Sequence, residues 1–232
     1  MKQYFSTTFK RKSFLKRNKI HLDIFPPEEY TPIDIHDPLK FYFVPGFRNL
    51  YRKRMEMCLA ECSGGDKVLE VGFGSGLSFS NLNRLYKKIY GLEKNSPISI
   101  ADISSYFTNR SIPVFLTSGD LLNMPYADDG FDTVLIISVL EHLQPHEQAR
   151  AFSEIHRVVR PGGQLVYGVP FDRPLMTFLY RVLGYRIKHF HFSNQDIIRA
   201  QAKKQFRKVE YENIKLLGIK FLSLYQVVHC IK

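Results

Sequence analysis

Three glycines at alternate positions, placed directly after a short apolar run, constrain the fold of this 232-residue chain more than any other feature. Residues 67–76 read KVLEVGFGSG; the apolar run predicts a short buried strand, which Gly72, Gly74 and Gly76 follow. Because glycine has no Cβ, a loop built from it lets backbone N–H groups approach a ligand closely. The stretch therefore predicts a strand that leads into a ligand-binding loop.

The spacing of these glycines separates two classes of cofactor. A dinucleotide-binding loop has the pattern GxGxxG, whereas this loop has GxGxG, and Leu77 stands at the third dinucleotide position. With Glu70 two residues before the first glycine, EVGFGSG resembles motif I of the class I S-adenosylmethionine-dependent methyltransferases. In that family the loop lies against the amino-acid end of the cofactor. A dinucleotide oxidoreductase and a purely structural glycine cluster stay open as alternatives.

An acidic residue closes the next predicted strand, residues 88–92. Glu93 comes 17 residues after Gly76, about the length of one βαβ unit. A carboxylate at the tip of the second strand of such a fold can accept both hydroxyls of a ribose, one on each oxygen. Glu93 is therefore a candidate ribose ligand, and its combination with the loop is more specific than either feature alone.

Three later segments resemble the same family, in the family's order. In residues 119–121, GDL, Asp120 and Leu121 match a segment that lies over the adenine, where the aspartate accepts from the exocyclic amine and the next residue supports the ring. Residues 131–143, FDTVLIISVLEHL, resemble the fourth strand and its loop, and residues 157–166, RVVRPGGQLV, resemble the turn into the fifth strand. The resemblance implies S-adenosylmethionine as the cofactor. The residues assigned to it on this basis are Glu70, Gly72, Phe73, Gly74, Gly76, Glu93, Lys94, Asp120, Leu121, Ser138 and Val139.

Strands and helices alternate along the central part of the chain. The predicted helices are residues 47–61, 78–86, 97–107, 145–159 and 195–204, and the predicted strands are residues 68–71, 88–92, 113–117, 131–137, 164–169, 208–211 and 221–231. This alternation predicts a doubly wound α/β fold, with a mostly parallel seven-stranded sheet, an antiparallel hairpin at its end, and helices on both faces. Cofactors bind such sheets at the carboxyl ends of the strands, which is where Glu70, Gly72, Glu93, Asp120 and Ser138 fall.

The regions outside this unit carry much of the positive charge. The net charge is +11, and the first 20 residues hold seven lysines and arginines without an acidic residue. We predict a basic, aromatic arm and lead-in over residues 1–45, a methyltransferase domain over residues 46–232, and a substrate lid over residues 171–192, the last with a simple core-packed helix as its alternative. Positive fields attract phosphate. An anionic membrane surface and nucleic acid are thus candidate partners, and a generally basic surface is the plainer interpretation.

Other features of the sequence argue against a membrane span and a metal. No window approaches eighteen uninterrupted apolar residues, and the N-terminus lacks the apolar centre of a signal peptide. We therefore expect a cytoplasmic protein, at most peripheral at a membrane. Cys58, Cys62 and Cys230 form no disulfide framework, and no cysteine–histidine cluster accompanies them. We expect reduced thiols and no metal site.

The resemblance implies methyl transfer, which requires a positioned acceptor and, for a hydroxyl acceptor, a general base. His142, His189 and His191 are candidates for that base, and the catalytic residue is left unassigned. Amine-directed nucleic-acid enzymes usually carry an N/D-P-P-Y/F motif after strand four, where this chain has SVLE. We therefore predict a small-molecule or lipid-like acceptor. A nucleic-acid methyltransferase and a catalytically silent cofactor-binding module remain alternatives.

Overall fold

A seven-stranded sheet organises the part of the chain that the computed structural model describes, namely residues 20–26, 41–43, 47–94, 99–171, 192–215 and 223–232. The strands are β1 (Gly65–Val71), β2 (Tyr86–Glu93), β3 (Val114–Ser118), β4 (Phe131–Ile137), β5 (Val159–Pro170), β6 (Lys208–Lys215) and β7 (Ser223–Ile231). Their order across the sheet is β3-β2-β1-β4-β5-β7-β6. The first five strands are parallel, whereas β7 runs antiparallel to both β5 and β6. The predicted sheet and its final hairpin are confirmed.

Helices cover both faces of the sheet, as predicted. They are α1 (Phe47–Glu61), α2 (Phe79–Leu82), α3 (Ile100–Thr108), α4 (Gln148–Val158) and α5 (Gln195–Gln205), with a 3-10 helix at Leu140–His142. Buried residues of α1, α2 and α3 belong to one core cluster, and those of α4 and α5 belong to a second. The sheet therefore separates two apolar cores.

Two-sided burial explains the continuous apolar run of β4. Leu135 belongs to the core under α1 to α3, whereas Val134 and Ile136 belong to the core under α4 and α5. Successive side chains of a strand point to opposite faces. A strand between two helical layers is therefore apolar at nearly every position.

Two predicted helices are too long. The helix predicted over residues 78–86 is the four-residue α2, because Tyr86 already belongs to β2, where its hydroxyl donates to Oγ1 of Thr133 at 2.7 Å. The helix predicted over residues 145–159 begins at Gln148, and it ends before Val159 because that residue pairs with Phe131 in the sheet. In both places pairing or contacts across the sheet decide the boundary.

A short piece of the predicted N-terminal arm packs on the domain. Leu22 is buried, and its backbone N–H donates to Oε1 of Glu56 in α1 at 3.0 Å. The backbone N–H of Asp23 donates to Oδ1 of Asn81 in α2 at 2.9 Å. Residues 20–26 thus connect α1 to the helix that follows the glycine loop.

Some predictions fall outside the described residues. These are the remaining parts of the arm, the inner residues 172–191 of the predicted lid, and the candidate bases His189 and His191. Within the described ranges, no helix is both long and apolar enough to cross a membrane.

The three cysteines are buried free thiols. Burial raises the pKa of Cys62 to about 12, so its thiol stays protonated at neutral pH. Among the residues that the structure places, no group of three or more histidine, cysteine, aspartate and glutamate side chains is arranged to hold a metal ion.

Candidate active site

The glycine loop joins β1 to α2 at the carboxyl edge of the parallel strands. Gly72, Gly74 and Gly76 have φ angles of +74°, +51° and +70°, in the left-handed region that favours glycine. A Cβ added to Gly72 would lie only 2.2 Å from Cγ2 of Val139, which follows β4. Gly72 therefore allows the loop after β1 and the loop after β4 to touch.

Part of the glycine loop is shaped by the core beneath it. The ring of Phe73 is buried, with its centre 5.7 Å from that of Phe79. A Cβ on Gly76 would meet the Phe79 ring at 2.6 Å. The side chain of Phe73 thus packs in the core, and a ligand in the loop would meet its backbone.

Glu93 ends β2 directly beside this loop. Its Oε2 accepts the backbone N–H of Gly74, and its Oε1 accepts the backbone N–H of Lys94, both at 3.1 Å. An ionised carboxylate has about four acceptor positions. These two bonds fix the carboxylate and leave capacity for two further donors, such as a pair of hydroxyls.

Asp120 follows the neighbouring strand β3 and is linked to β2 through Lys94. The ammonium Nζ of Lys94 lies 2.8 Å from Oδ2 of Asp120, and Oδ1 accepts the backbone N–H of Leu122 at 2.9 Å. Burial tends to raise the pKa of Asp120, but the Leu122 N–H and the Lys94 ammonium outweigh it and lower that pKa. Asp120 is therefore charged at neutral pH. The next side chain, Leu121, is buried in the core under α4 and α5.

Glu70 lies in β1 and is only 3% exposed. Its carboxyl accepts a hydrogen bond from the hydroxyl of Ser78, just before α2. The pKa of Glu70 is raised to about 8, mainly by burial and also by the charge of Glu93, while the Ser78 bond opposes the rise. A carboxyl that titrates near neutral pH can become charged when a cation approaches.

Ser138 borders the same edge from the loop after β4. It has a φ of +57°, an unusual value for a residue other than glycine. Its backbone N–H donates to the carbonyl of Gly168 in β5 at 2.8 Å, and its Oγ lies 2.9 Å from the hydroxyl of Tyr225 in β7. Strained backbone of this kind concentrates at functional sites, where the surrounding structure holds it.

The sequence-predicted residues therefore lie in one band across the tips of β3, β2, β1 and β4. Gly74 contacts Glu93, Lys94 connects to Asp120, and Val139 lies against Gly72. The candidate base His142 lies in the 3-10 helix after β4, and it is exposed.

Sequence reasoning missed a tyrosine-rich group beside this band. Nη2 of Arg54 in α1 donates to the hydroxyl of Tyr42 at 3.2 Å, and the guanidinium carbon lies 4.1 Å from the centre of the Tyr51 ring. The ring centre of Tyr225 in β7 lies 5.8 Å from the same guanidinium carbon. No local motif marks these residues, because their segments meet only in the folded sheet.

Fold and site together define a class of protein. The strand order reverses between β1 and β4, and the glycine loop lies at this switch point. This is the position at which doubly wound α/β proteins bind nucleotide-containing cofactors.

Comparisons with known proteins show which family within that class the chain resembles. The family described as a methyltransferase domain matches residues 69–167. A protein of Mycolicibacterium smegmatis named as a probable S-adenosylmethionine-dependent methyltransferase is 30% identical over 154 residues, which cover 61% of this chain and 57% of that protein. Residues 69–167 thus match a methyltransferase domain, and the resemblance to the class I S-adenosylmethionine-dependent methyltransferases seen in the sequence is confirmed.

Two further similarities bear on the fold and on the range of relatives. Phthiotriol/phenolphthiotriol dimycocerosates methyltransferase 1 of Mycobacterium ulcerans is 38% identical over 106 residues, which cover 44% of this chain and 37% of that one. The N-methyltransferase NodS from Bradyrhizobium japonicum, solved with S-adenosylhomocysteine, has a TM-score of 0.63 at 18% identity, with coverage of 85% and 92%. NodS thus shares the fold. The chain spans 61%, 57% and 46% of the length of three curated relatives that it matches.

Proposed function

We propose that this chain transfers a methyl group from S-adenosylmethionine to a small-molecule or lipid-like acceptor. The observation that carries the proposal is the contact of Glu93 with the glycine loop, through the 3.1 Å bond from the Gly74 N–H to Oε2. The charged Asp120, on the adjacent strand tip, lies beside it. The match to a methyltransferase domain and this acidic band support the same cofactor.

The residues present fit that cofactor in charge and hydrogen-bonding capacity. Glu93 would hold the ribose hydroxyls on its remaining acceptor positions, and Asp120 would accept the adenine amine. The loop that begins at Gly72 would lie against the amino-acid end, where the cationic group would favour the charged form of Glu70. When bound, the cofactor supplies an activated methyl group on a sulfonium centre.

The chain's own contribution is to hold the acceptor and exclude water. Orientation of two reactants can lower a barrier by about 7–11 kcal/mol in favourable cases. Ser138 and Val139 border the acceptor side. Burial raises the pKa of Tyr225 well above its usual range, so its hydroxyl stays protonated and is suited to hydrogen bonding. We assign no general base, since an acceptor that is already a good nucleophile needs none.

Two observations support the acceptor class. The relative from Mycobacterium ulcerans is named for phthiotriol and phenolphthiotriol dimycocerosates. The net charge of +11 favours contact with an anionic surface, and peripheral membrane contact is part of the proposal.

Calorimetric titration tests the cofactor part of the proposal. We expect the protein to bind S-adenosylhomocysteine with a dissociation constant in the micromolar range and to give no heat with NAD⁺. Glu93→Ala should weaken binding by about 100-fold, because hydrogen bonds to a charged group contribute about 1.5–3 kcal/mol each. Glu210→Ala, on the edge strand β6 at the far end of the sheet, removes the same charge and should leave the affinity unchanged. Tight binding of NAD⁺ instead would refute the proposal.

Turnover with methyl-labelled S-adenosylmethionine tests the acceptor part. We expect label to pass to lipid, quinone or other small acceptors and not to transfer RNA. Label found on transfer RNA alone would indicate a nucleic-acid methyltransferase. Cofactor binding without label on any of these acceptors would indicate a silent binding module.

A further inference from the structure

A partly buried arginine stands on the acceptor side of the site. Helix α1 runs antiparallel to β5: the carbonyl of Glu61 accepts from Nε2 of Gln164 near the start of that strand, at 3.2 Å. Further along, Sγ of Cys58 lies 2.9 Å from where a Cβ on Gly168 would be. One more helical turn, about 5.4 Å, brings Arg54 to the carboxyl edge of the sheet.

Three tyrosines surround the Arg54 guanidinium. Its central carbon lies 4.1 Å from the ring centre of Tyr51, 5.7 Å from that of Tyr42 and 5.8 Å from that of Tyr225. Aromatic faces attract cations at such distances. Because Tyr225 also contacts Ser138 at 2.9 Å, this group is continuous with the loop after β4.

The guanidinium has more donors than the described residues use. It carries five N–H groups and is always charged, yet its one hydrogen bond to a described residue goes to the hydroxyl of Tyr42. Its Nε is buried and has no partner there, and no carboxylate among the described residues forms an ion pair with it. A buried donor without an acceptor is destabilising, and more so when it is charged. A ligand with anionic oxygens would remove that cost.

We infer that Arg54 binds an anionic group of the methyl acceptor, a carboxylate or a phosphate. The paired N–H groups of a guanidinium match the oxygens of either anion. Tyr42 and Tyr51 orient the guanidinium, and Tyr225 connects the anion site to Ser138 at the edge where transfer takes place. This inference rests on the proposed methyltransferase function and specifies the acceptor as one that carries negative charge.

A matched set of probes tests the inference without knowledge of the natural acceptor. The protein, saturated with S-adenosylhomocysteine, is titrated with benzoate, phenyl phosphate and benzamide, which share a ring and differ in charge. We expect at least one of the two anions to bind about tenfold or more tightly than benzamide. The anion that binds better shows whether the site is built for a carboxylate or for a phosphate.

Substitutions in α1 test whether Arg54 is responsible for the tighter binding of anions. Arg54→Met should abolish it, whereas Lys53→Met, which removes the same charge from an exposed neighbouring position, should retain it. Arg54→Lys keeps the charge and much of the packing but not the paired donors; it should weaken anion binding severalfold while leaving the S-adenosylhomocysteine affinity unchanged. Arg54→Lys thus provides the test if Arg54→Met does not fold.

Two outcomes separate this inference from the function on which it rests. If the unmodified protein does not bind S-adenosylhomocysteine, the proposed function itself fails. If it binds that molecule but shows no preference for the anions, or if Arg54→Met and Arg54→Lys both keep the full preference, the assignment of Arg54 is wrong and the proposed function stands.

Discussion

The two halves of the sheet build their sides of the site by different means. On the side of β1 to β3, Glu93 reaches Gly74 across 19 residues, and both belong to the unit formed by β1, α2 and β2. On the side of β4 to β7, Tyr225 reaches Ser138 across 87 residues, and Arg54 joins them from a helix that precedes the whole sheet. Neighbouring segments therefore form the proposed cofactor side, whereas the proposed acceptor side exists only after the distant segments have met.

The halves also differ in charge. The proposed cofactor side carries Glu93, Asp120 with its partner Lys94, and the carboxyl of Glu70, which can become charged when a cation approaches. The proposed acceptor side presents Arg54 among tyrosines. Under the proposed function, this polarity suits a cationic cofactor on one side and an anionic acceptor on the other. It would also disfavour the binding of either ligand in the opposite half, since like charges repel.

The largest effect is expected where the two halves touch, at Gly72. Gly72→Ala places a methyl group 2.2 Å from Cγ2 of Val139 and also requires a φ of +74°. We expect the free energy of unfolding to fall by about 3 kcal/mol or more, from backbone strain and overpacking together. Gly162→Ala requires a similar φ, +72°, with no atom within 4 Å of the new Cβ, so it should cost only about 1 kcal/mol. Chemical denaturation measures both.

A second substitution identifies the contact responsible. Val139→Ala removes the methyl group that the new side chain meets, so the double variant should regain part of the stability that Gly72→Ala loses. Equal costs at Gly72 and Gly162 would mean that the two loops are not in close contact.

The next largest effect is the dependence of stability on pH that is expected from Glu70, in the proposed cofactor half. Its pKa is about 8 in the folded protein against an ordinary value of 4.5, so the folded state keeps a proton that the unfolded state releases between these pH values. The free energy of unfolding therefore contains a term that falls as pH rises from about 4.5 to about 8, by a few kcal/mol in total, and is constant above that interval. Glu70→Gln does not titrate and should lack this fall.

The difference in the free energy of unfolding between the unmodified protein and Glu70→Gln isolates the contribution of Glu70. His156, whose pKa is lowered mainly by burial, titrates in both proteins and cancels in the comparison. Denaturation curves at several pH values, without ligand, should show Glu70→Gln gaining relative stability as pH rises. Parallel curves over this interval would show that Glu70 is not held protonated.

The smallest effect is expected in the acceptor half, at the hydrogen bond between Tyr225 and Ser138. Tyr225→Phe leaves the packing of the ring but removes the partner of the Ser138 hydroxyl, and should lower the free energy of unfolding by about 1–2 kcal/mol. Tyr211→Phe, on the exposed edge strand β6, is the matched control and should change it by less than about 0.5 kcal/mol. A loss no larger than that of the control would mean that the bond does not hold the loop after β4.

The same division between local and long-range contacts explains which features could be predicted from the sequence. The bounds of α1 and β4 follow from local apolar patterns and are correct. The predicted start of α5 at Gln195 is correct too, and the Asn194 side chain caps it by accepting the backbone N–H groups of Asp196 and Ile197. The end of α2 is wrong because a sheet contact of Tyr86 decides it.

Side-chain direction and distant contacts were the least predictable features of the site. The glycine motif predicts that Phe73 belongs to the cofactor site, but it does not reveal that the Phe73 ring packs against Phe79. Arg54 has no local signal, because it is one arginine among several basic residues of α1. Its surroundings depend on the long-range pairing of β5 with β7.

A crystal structure with S-adenosylhomocysteine tests the cofactor side of the site most directly. We expect both ribose hydroxyls to lie within about 3 Å of the Glu93 carboxylate oxygens, the adenine amine to face Asp120, and the sulfur to point toward Ser138. A ligand bound away from the glycine loop, or a ribose held without Glu93, would contradict the assignment of this edge of the sheet as the cofactor site.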